Sequence, residues 1–340
     1  MHHKNDRHCL ITGGAGFVGS HLAEALLADG CTVTVVDNLA TGRQSNLSHV
    51  LHHPNFRFVK LDVANRELMA PLVAQSTEVY HLASYVGVRL AAYPSSSHIL
   101  NNLRAIDNIL DLVTHYRTKF QLSSTSEVYG KAMDVQQGQV MDLREDSDRI
   151  YGPTMIHRWS YSGIKAIEEF LTLAKKHEEG INAVIVRLFN VVGPRQIGQN
   201  GMVIPRFVQQ AMKGEPITVY GDGSQQRCFS YVGDVVRCMI DLMKLPEASG
   251  EVFNIGNNIP VSMLQLAMRI KELTGSSSPI VFVPIEKAFG TSFEDVHLRI
   301  PNLEKLNKFL GYQPNTTLDR ILQAIISEAQ IPHQYPTLHA

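Results

Sequence analysis

Thr12-Gly13-Gly14-Ala15-Gly16-Phe17-Val18-Gly19 follows a short apolar run, His8–Thr12, and opens a helical pattern over Val18–Ala28. Glycines at 13, 16 and 19 suit a strand-to-helix turn in which backbone N–H groups approach a pyrophosphate and the helix packs tightly on the sheet. The helix N-terminus then presents its positive dipole end to the phosphates. The next β-branched run, Thr32–Val36, is followed directly by Asp37. A carboxylate there accepts from both hydroxyls of an adenosine ribose and repels a 2′-phosphate, which favours NAD over NADP. Together these features predict a dinucleotide site.

Working outward, strands are expected at Phe56–Leu61, Glu78–Leu82, Lys119–Ser123 and Ala183–Leu188, with helices at Glu67–Ala74, Ser97–His115 and Ser160–Lys176. Strands separated by helical segments imply βαβ units. Most of the strands are nearly continuous apolar runs, as burial on both faces requires. The expected fold is α/β, a Rossmann-type doubly wound parallel sheet over residues 1–190. After about Val191, prolines at 194, 205 and 216 and the turn Gly221-Asp222-Gly223 break the chain into shorter pieces. Helical patterns return at Gly233–Leu242, Val261–Leu273 and Leu318–Ala329. Residues 191–330 read as a smaller α/β substrate-binding domain, partly threaded back onto the first.

The chain has 340 residues, 44% hydrophobic and 19% charged, enough to bury a sizeable core. With 31 basic and 32 acidic side chains the net charge is −1, so composition gives no case for a nucleic-acid or membrane-surface binder. The four cysteines form no CxxC pair, and no run approaches the length of a membrane span. No targeting segment is evident, and a cytoplasmic location is expected. The 15 histidines show no HExxH, and no metal is expected.

Three further segments carry chemistry: Ser123-Ser124-Thr125-Ser126-Glu127-Val128-Tyr129-Gly130, Tyr161-Ser162-Gly163-Ile164-Lys165, and the loop starts Asp62-Val63 and Leu82-Ala83-Ser84 along the same sheet edge. Tyr161 and Lys165, at i and i+4, share one helix face about 6 Å apart at Cβ. With Asn102, Arg187-Leu188-Phe189-Asn190, Gly193-Pro194-Arg195, Gly214–Gly221, Gln226-Arg227-Cys228-Phe229 and Asp234, the pattern resembles the extended short-chain dehydrogenase/reductase family, in particular its nucleotide-sugar epimerases, dehydratases and decarboxylases.

The resemblance implies NAD as cofactor, held by Gly13, Gly16, Phe17, Val18, Asp37, Asn38, Asp62, Val63, Leu82, Ala83, Ser84, Asn102, Tyr161 and Lys165. It implies Tyr161 as the base that takes the sugar 4-hydroxyl proton. Lys165 lowers the phenol from its ordinary value near 10, and Thr125 bonds the 4-oxygen. A nucleotide-sugar substrate, a UDP-sugar by resemblance, would meet Arg89, Ser126, Asn190, Arg195, Arg227 and Arg299. Asn190, Arg227 and Arg299 are expected at its diphosphate, and Arg195 either at a sugar carboxylate or paired with an acidic neighbour. A homodimer through Ser97–His115 and Ser160–Lys176 is a further implication.

The product class divides the motifs. Thr125-Ser126-Glu127 resembles UDP-glucuronate decarboxylases and GDP-mannose dehydratases alike, and Arg158-Trp159-Ser160-Tyr161 a bacterial uronate decarboxylase, whereas Val86-Gly87-Val88-Arg89 resembles the loop of UDP-glucuronate 4-epimerases. Ser126 stands where 4,6-dehydratases carry an acid. The resulting order is UDP-glucose or UDP-glucuronate 4-epimerase, then UDP-glucuronate decarboxylase, then dehydratase, with Glu127 as the residue that separates them. A non-catalytic NAD sensor would lack the tyrosine or lysine that are both present here.

Overall fold

The computed structural model describes residues 7–84, 95–136, 141–198, 202–285, 287 and 296–331. Seven parallel strands form the central sheet in the order β11-β6-β5-β4-β1-β2-β3. They are β1 (His8–Thr12), β2 (Thr32–Asp37), β3 (Phe56–Lys60), β4 (Glu78–His81), β5 (Lys119–Thr125), β6 (Ala183–Leu188) and β11 (Val252–Ile255). The strand order reverses direction at β1/β4, where ligands bind in open α/β sheets.

Both faces are covered. Helices α1 (Phe17–Ala28) and α7 (Val232–Lys244) pack on one face around Leu22, Leu26, Val235 and Met239. On the other face α2 (Arg66–Ala74) and α3 (Ser96–Tyr116) bury Met69, Val73, Ile106 and Ile109. Double-sided burial explains why β1 reads Cys-Leu-Ile with no polar alternation. The long helix α5 (Trp159–Glu179) lies against α3 and β5.

β11 is not anticipated by the sequence reading. Its run Val-Phe-Asn-Ile carries a polar residue at the third place, yet Asn254 is fully buried. There it accepts from the Tyr129 hydroxyl at 2.7 Å and donates to the Leu143 carbonyl at 2.8 Å. Two segments from beyond residue 190, α7 and β11, thus complete the first layer. The remainder forms its own core of Phe207, Ile217, Leu266 and Ile325. That core joins α6 (Val203–Lys213), α8 (Met263–Thr274) and α10 (Leu318–Ala329) to the short pair β8 (Ile217–Tyr220) and β13 (Ile280–Val283).

Candidate active site

A cavity of about 460 Å³ runs along the carboxyl edge of the sheet, a volume suited to a bound cofactor or substrate. Its floor is the glycine turn. Gly13 has φ +70°, and a Cβ there would stand 2.8 Å from the Ala83 nitrogen; at Gly19 a Cβ would meet the Gly13 carbonyl at 2.5 Å. The turn therefore needs glycine for its backbone angle at one position and for close approach at the other. Asp37, buried at the tip of β2, accepts from the amides of Ala15 at 3.0 Å and Leu39 at 2.8 Å. Burial raises its carboxyl, and the two amides oppose that rise.

Asn38 donates to the Asp62 carboxylate at 3.0 Å, tying the ends of β2 and β3 together. Phe17, Val18, Val63, Leu82, Ala83, Ser84 and Asn102 line the same cavity as Gly13 and Gly16. The hydroxyls of Ser84 and Ser123 are buried there with no hydrogen-bond partner among the described residues. A cradle that a Cβ would fill, a carboxylate at the second strand and orphan hydroxyls between them fit a dinucleotide.

The reactive end stands on β5 and α5. Thr125 closes β5 and accepts from the Glu127 amide at 3.2 Å, and it is hydrogen-bonded to the Tyr161 phenol. Tyr161 and Lys165 project from the first turns of α5 into the cavity. A buried brace fixes these elements relative to one another. The Glu169 carboxylate accepts from Ser124 at 2.5 Å, from Arg187 on β6 at 2.8 and 3.0 Å, and from Arg149 at 2.6 Å. Such a pair is costly to break, because either charge alone would be stranded in the core.

Lys165 has partners that the sequence did not announce. Its ammonium, 2% exposed, donates to the Ser123 carbonyl at 3.0 Å and to Glu168 at 2.8 Å. Burial, then Glu168 and Glu127, push the Tyr161 phenol up, opposed by the bond to Thr125. The lysine's charge is thus largely met by a carboxylate that the sequence reading passed over. Spacing could have found it, since 161, 165 and 168 fall on one helix face.

The far wall carries three charges. Arg299, 3% exposed, donates to Glu127 at 2.6 Å and to Ser126 at 3.3 Å, and Arg158 approaches the other Glu127 oxygen at 3.4 Å. Burial alone would raise Glu127, but Arg299 and Arg158 outweigh it and bring the carboxyl down to about 2. Arg299, expected at the diphosphate, lines the cavity with its guanidinium bonded beside Thr125, at the reactive end.

The other expected arginines divide. Arg227 does not line the cavity and donates to the His297 carbonyl at 3.2 Å, though its charge still acts on Glu127. Arg195, at φ +68°, lines the cavity but pairs with Glu24 at 2.6 Å and the Asn46 carbonyl at 3.1 Å, the acidic-neighbour alternative. Asn190 lines the cavity at φ +35° and donates to the Cys228 carbonyl at 3.1 Å. Arg89 and the rest of Val86–Arg89 lie outside the described residues. Arg158, quoted in the sequence only as part of the motif Arg158-Trp159-Ser160-Tyr161 and given no role there, stands three residues before Tyr161. Among the described residues no cluster suited to a metal ion occurs, and no helix is long and apolar enough to cross a membrane.

Residues 10–325 match the family described as GDP-mannose 4,6 dehydratase. The chain belongs to this family. Proteins similar to it include the UDP-N-acetyl-alpha-D-glucosaminuronate decarboxylase of Bacillus cytotoxicus, 40% identical over 94% of this chain and 97% of that protein. UDP-glucuronic acid decarboxylase 1 of Xenopus tropicalis is 34% identical over 97% of this chain and 74% of its own length. Among solved structures, the UDP-glucuronic acid 4-epimerase of Bacillus cereus, in complex with UDP-glucuronic acid and NAD, superposes with a TM-score of 0.83 at 28% identity. That match covers 94% of this chain and 98% of the epimerase. Decarboxylases and 4-epimerases that act through NAD on nucleotide sugars are therefore this chain's relatives.

Proposed function

We propose that this protein is an NAD-dependent decarboxylase of a UDP-linked hexuronate, which reverses the order in which the sequence motifs alone rank epimerisation and decarboxylation. The observation that carries the proposal is the wall of Arg158, Glu127 and Arg299 beside Thr125 and Tyr161. Two guanidiniums face one carboxylate there, in a largely buried place, next to the base that reaches the sugar 4-hydroxyl. A C6 carboxylate is the anion that position suits, because arginine's planar fork matches carboxylate geometry. The relatives named decarboxylases support the same reading, and the N-acetylated hexuronate is the first substrate to try because the 40% identical relative is named for it.

The residues then divide the work. Tyr161 takes the 4-hydroxyl proton, and Thr125 orients the phenol. NAD, held by the glycine turn and Asp37, would supply the hydride acceptor and donor for sugar C4. With a ketone at C4 the C6 carboxylate is β to a carbonyl, so the C5–C6 bond can break. Carbon dioxide leaves, the electron pair passes toward the C4 oxygen, and a solvent-derived proton adds at C5. Hydroxyl donors at that oxygen stabilise the developing charge. Glu127, ionised down to about pH 2, serves as the fixed charge that anchors Arg299 and not as the proton donor. A homodimer is carried as part of the proposal, with exposed Ile167, Phe170 and Leu171 on α5 as the face a second copy would cover.

Incubation with UDP-N-acetylglucosaminuronate and with UDP-glucuronate in deuterated water, followed by NMR, tests the reaction. The expected products are carbon dioxide and a UDP-pentose with deuterium at C5. A hexuronate inverted at C4 and free of deuterium would replace this reading with 4-epimerisation.

A further inference from the structure

We infer that Glu168 is a positioning residue that acts through Lys165 to keep Tyr161 able to regain its proton, so that the phenol which takes the sugar proton also gives it back. This rests on the reading of Tyr161 as the base. Both partners of the Lys165–Glu168 pair are 2% exposed and 2.8 Å apart. The Ser123 carbonyl and Glu168 together occupy two of the ammonium's three donors and fix its direction, leaving one for a ligand.

The neighbouring charges leave Glu168 alone in this role. Glu169, next in the helix, is taken up by Arg187, Arg149 and Ser124. From β4 beneath, His81 is fully enclosed and held neutral, its ring brought to about 3 by burial and by the charge of Lys165. From the turn after β5, Glu127 is matched by Arg299 and Arg158. From α3, Asp111 pairs with Lys175 at the other end of α5. Among the described residues, Glu168 is therefore the carboxylate that offsets the lysine one turn from the phenol.

Such an offset has a chemical use. The cycle removes a proton from the sugar 4-hydroxyl and must restore one when the ketone is reduced. An uncompensated ammonium beside the phenol would favour phenolate throughout and slow the second half. A carboxylate on the lysine lifts the phenol back toward a value from which it can donate, since the best acid–base group is one that changes state near the working pH.

The test uses NAD-loaded enzyme and its Glu168→Gln and Glu168→Asp variants. One readout is the pH dependence of cofactor reduction in a single turnover with UDP-hexuronate. The second is ionisation of the phenol by ultraviolet difference absorption, each variant against its own Tyr161→Phe counterpart, with and without NAD. Glu168→Gln should move both the acid limb and the phenol ionisation down by about one pH unit or more, as expected for a unit charge removed roughly 10 Å away, two helical turns on, in a partly buried site. Glu168→Asp, with its carboxylate drawn back, should shift them less in the same direction, and it carries the test if the glutamine variant does not fold. A lower plateau with both midpoints unmoved would overturn the inference and leave Glu168 a structural brace. Undiminished turnover in Tyr161→Phe alone would instead remove the base assignment, a separate failure.

Discussion

At the dinucleotide end of the cavity, Gly13, Gly16, Phe17, Val18 and Asp37 come from one continuous strand–turn–helix–strand run, and the backbone does most of the shaping. At the reactive end, Thr125, Arg158, Tyr161 and Arg299 come from stretches far apart in the chain, and side-chain charges do the shaping. The first end presents amides and tolerates almost no added volume. The second depends on which cation meets which carboxylate. Of the two acids flanking Tyr161, Glu127 meets two arginines and is driven down to about 2, whereas Glu168 meets one lysine and is raised by burial despite it. The number of counter-charges outweighs desolvation in one case and not in the other.

The largest effect should come at the reactive end. Tyr161→Phe should cost on the order of 10²–10⁴ in cofactor reduction, with NAD affinity by calorimetry largely unchanged. Retention of turnover within about tenfold would mean that the base lies elsewhere. Glu127→Gln should come next, at roughly 10² or more in carbon dioxide release. Reduced cofactor should accumulate in this variant, because C4 oxidation survives while Arg299 loses its anchor. If both steps fell together, Glu127 would serve binding and not the later step.

At the dinucleotide end the effects should be smaller. Asp37→Ala should cut the preference for NAD over NADP about tenfold or more, the scale of one lost charge-assisted hydrogen bond. Titration of both cofactors measures it, and an unchanged ratio would shift discrimination to Arg43. Smaller still is the acid response of stability. His81 is buried neutral at about 3 against an ordinary 6.5, so the unfolded chain alone binds that proton and stability should fall as pH drops below 6.5. Glu127, lowered to about 2 from 4.5, adds stability that is full above 4.5 and lost as pH falls toward 2. Urea midpoints against pH should show both steps in the wild type and only the upper one in Glu127→Gln.

The same contrast explains what the sequence disclosed. The glycine turn and Asp37 were legible because local geometry dictates residue type there, and Tyr161 with Lys165 because four residues make one helical turn. Glu168 obeyed the same periodicity, but a carboxylate on a helix face is usually solvated, and nothing local announced its burial. The pairing of Arg299 with Glu127 joins positions that only the folded chain brings together. β11 was missed because Asn254 interrupts its apolar run. Its hydrogen bonds to Tyr129 and Leu143 are tertiary, so no window of sequence contains them.

The pairing of β11 with β6, in register from Val252↔Ile185 to Ile255↔Leu188, has a consequence for the gene as much as for the molecule. A fragment ending at residue 190 would strip the outer strand and leave β6 with a row of open amides and carbonyls, a template for joining other chains. It would also lose α7, baring the apolar face that Leu22 and Leu26 share with Val235 and Met239. Such a truncation should come off a sizing column as aggregate and not as a small nucleotide-binding module. Evolution cannot exchange the front half of this chain as a cassette without carrying the distant strand along with it.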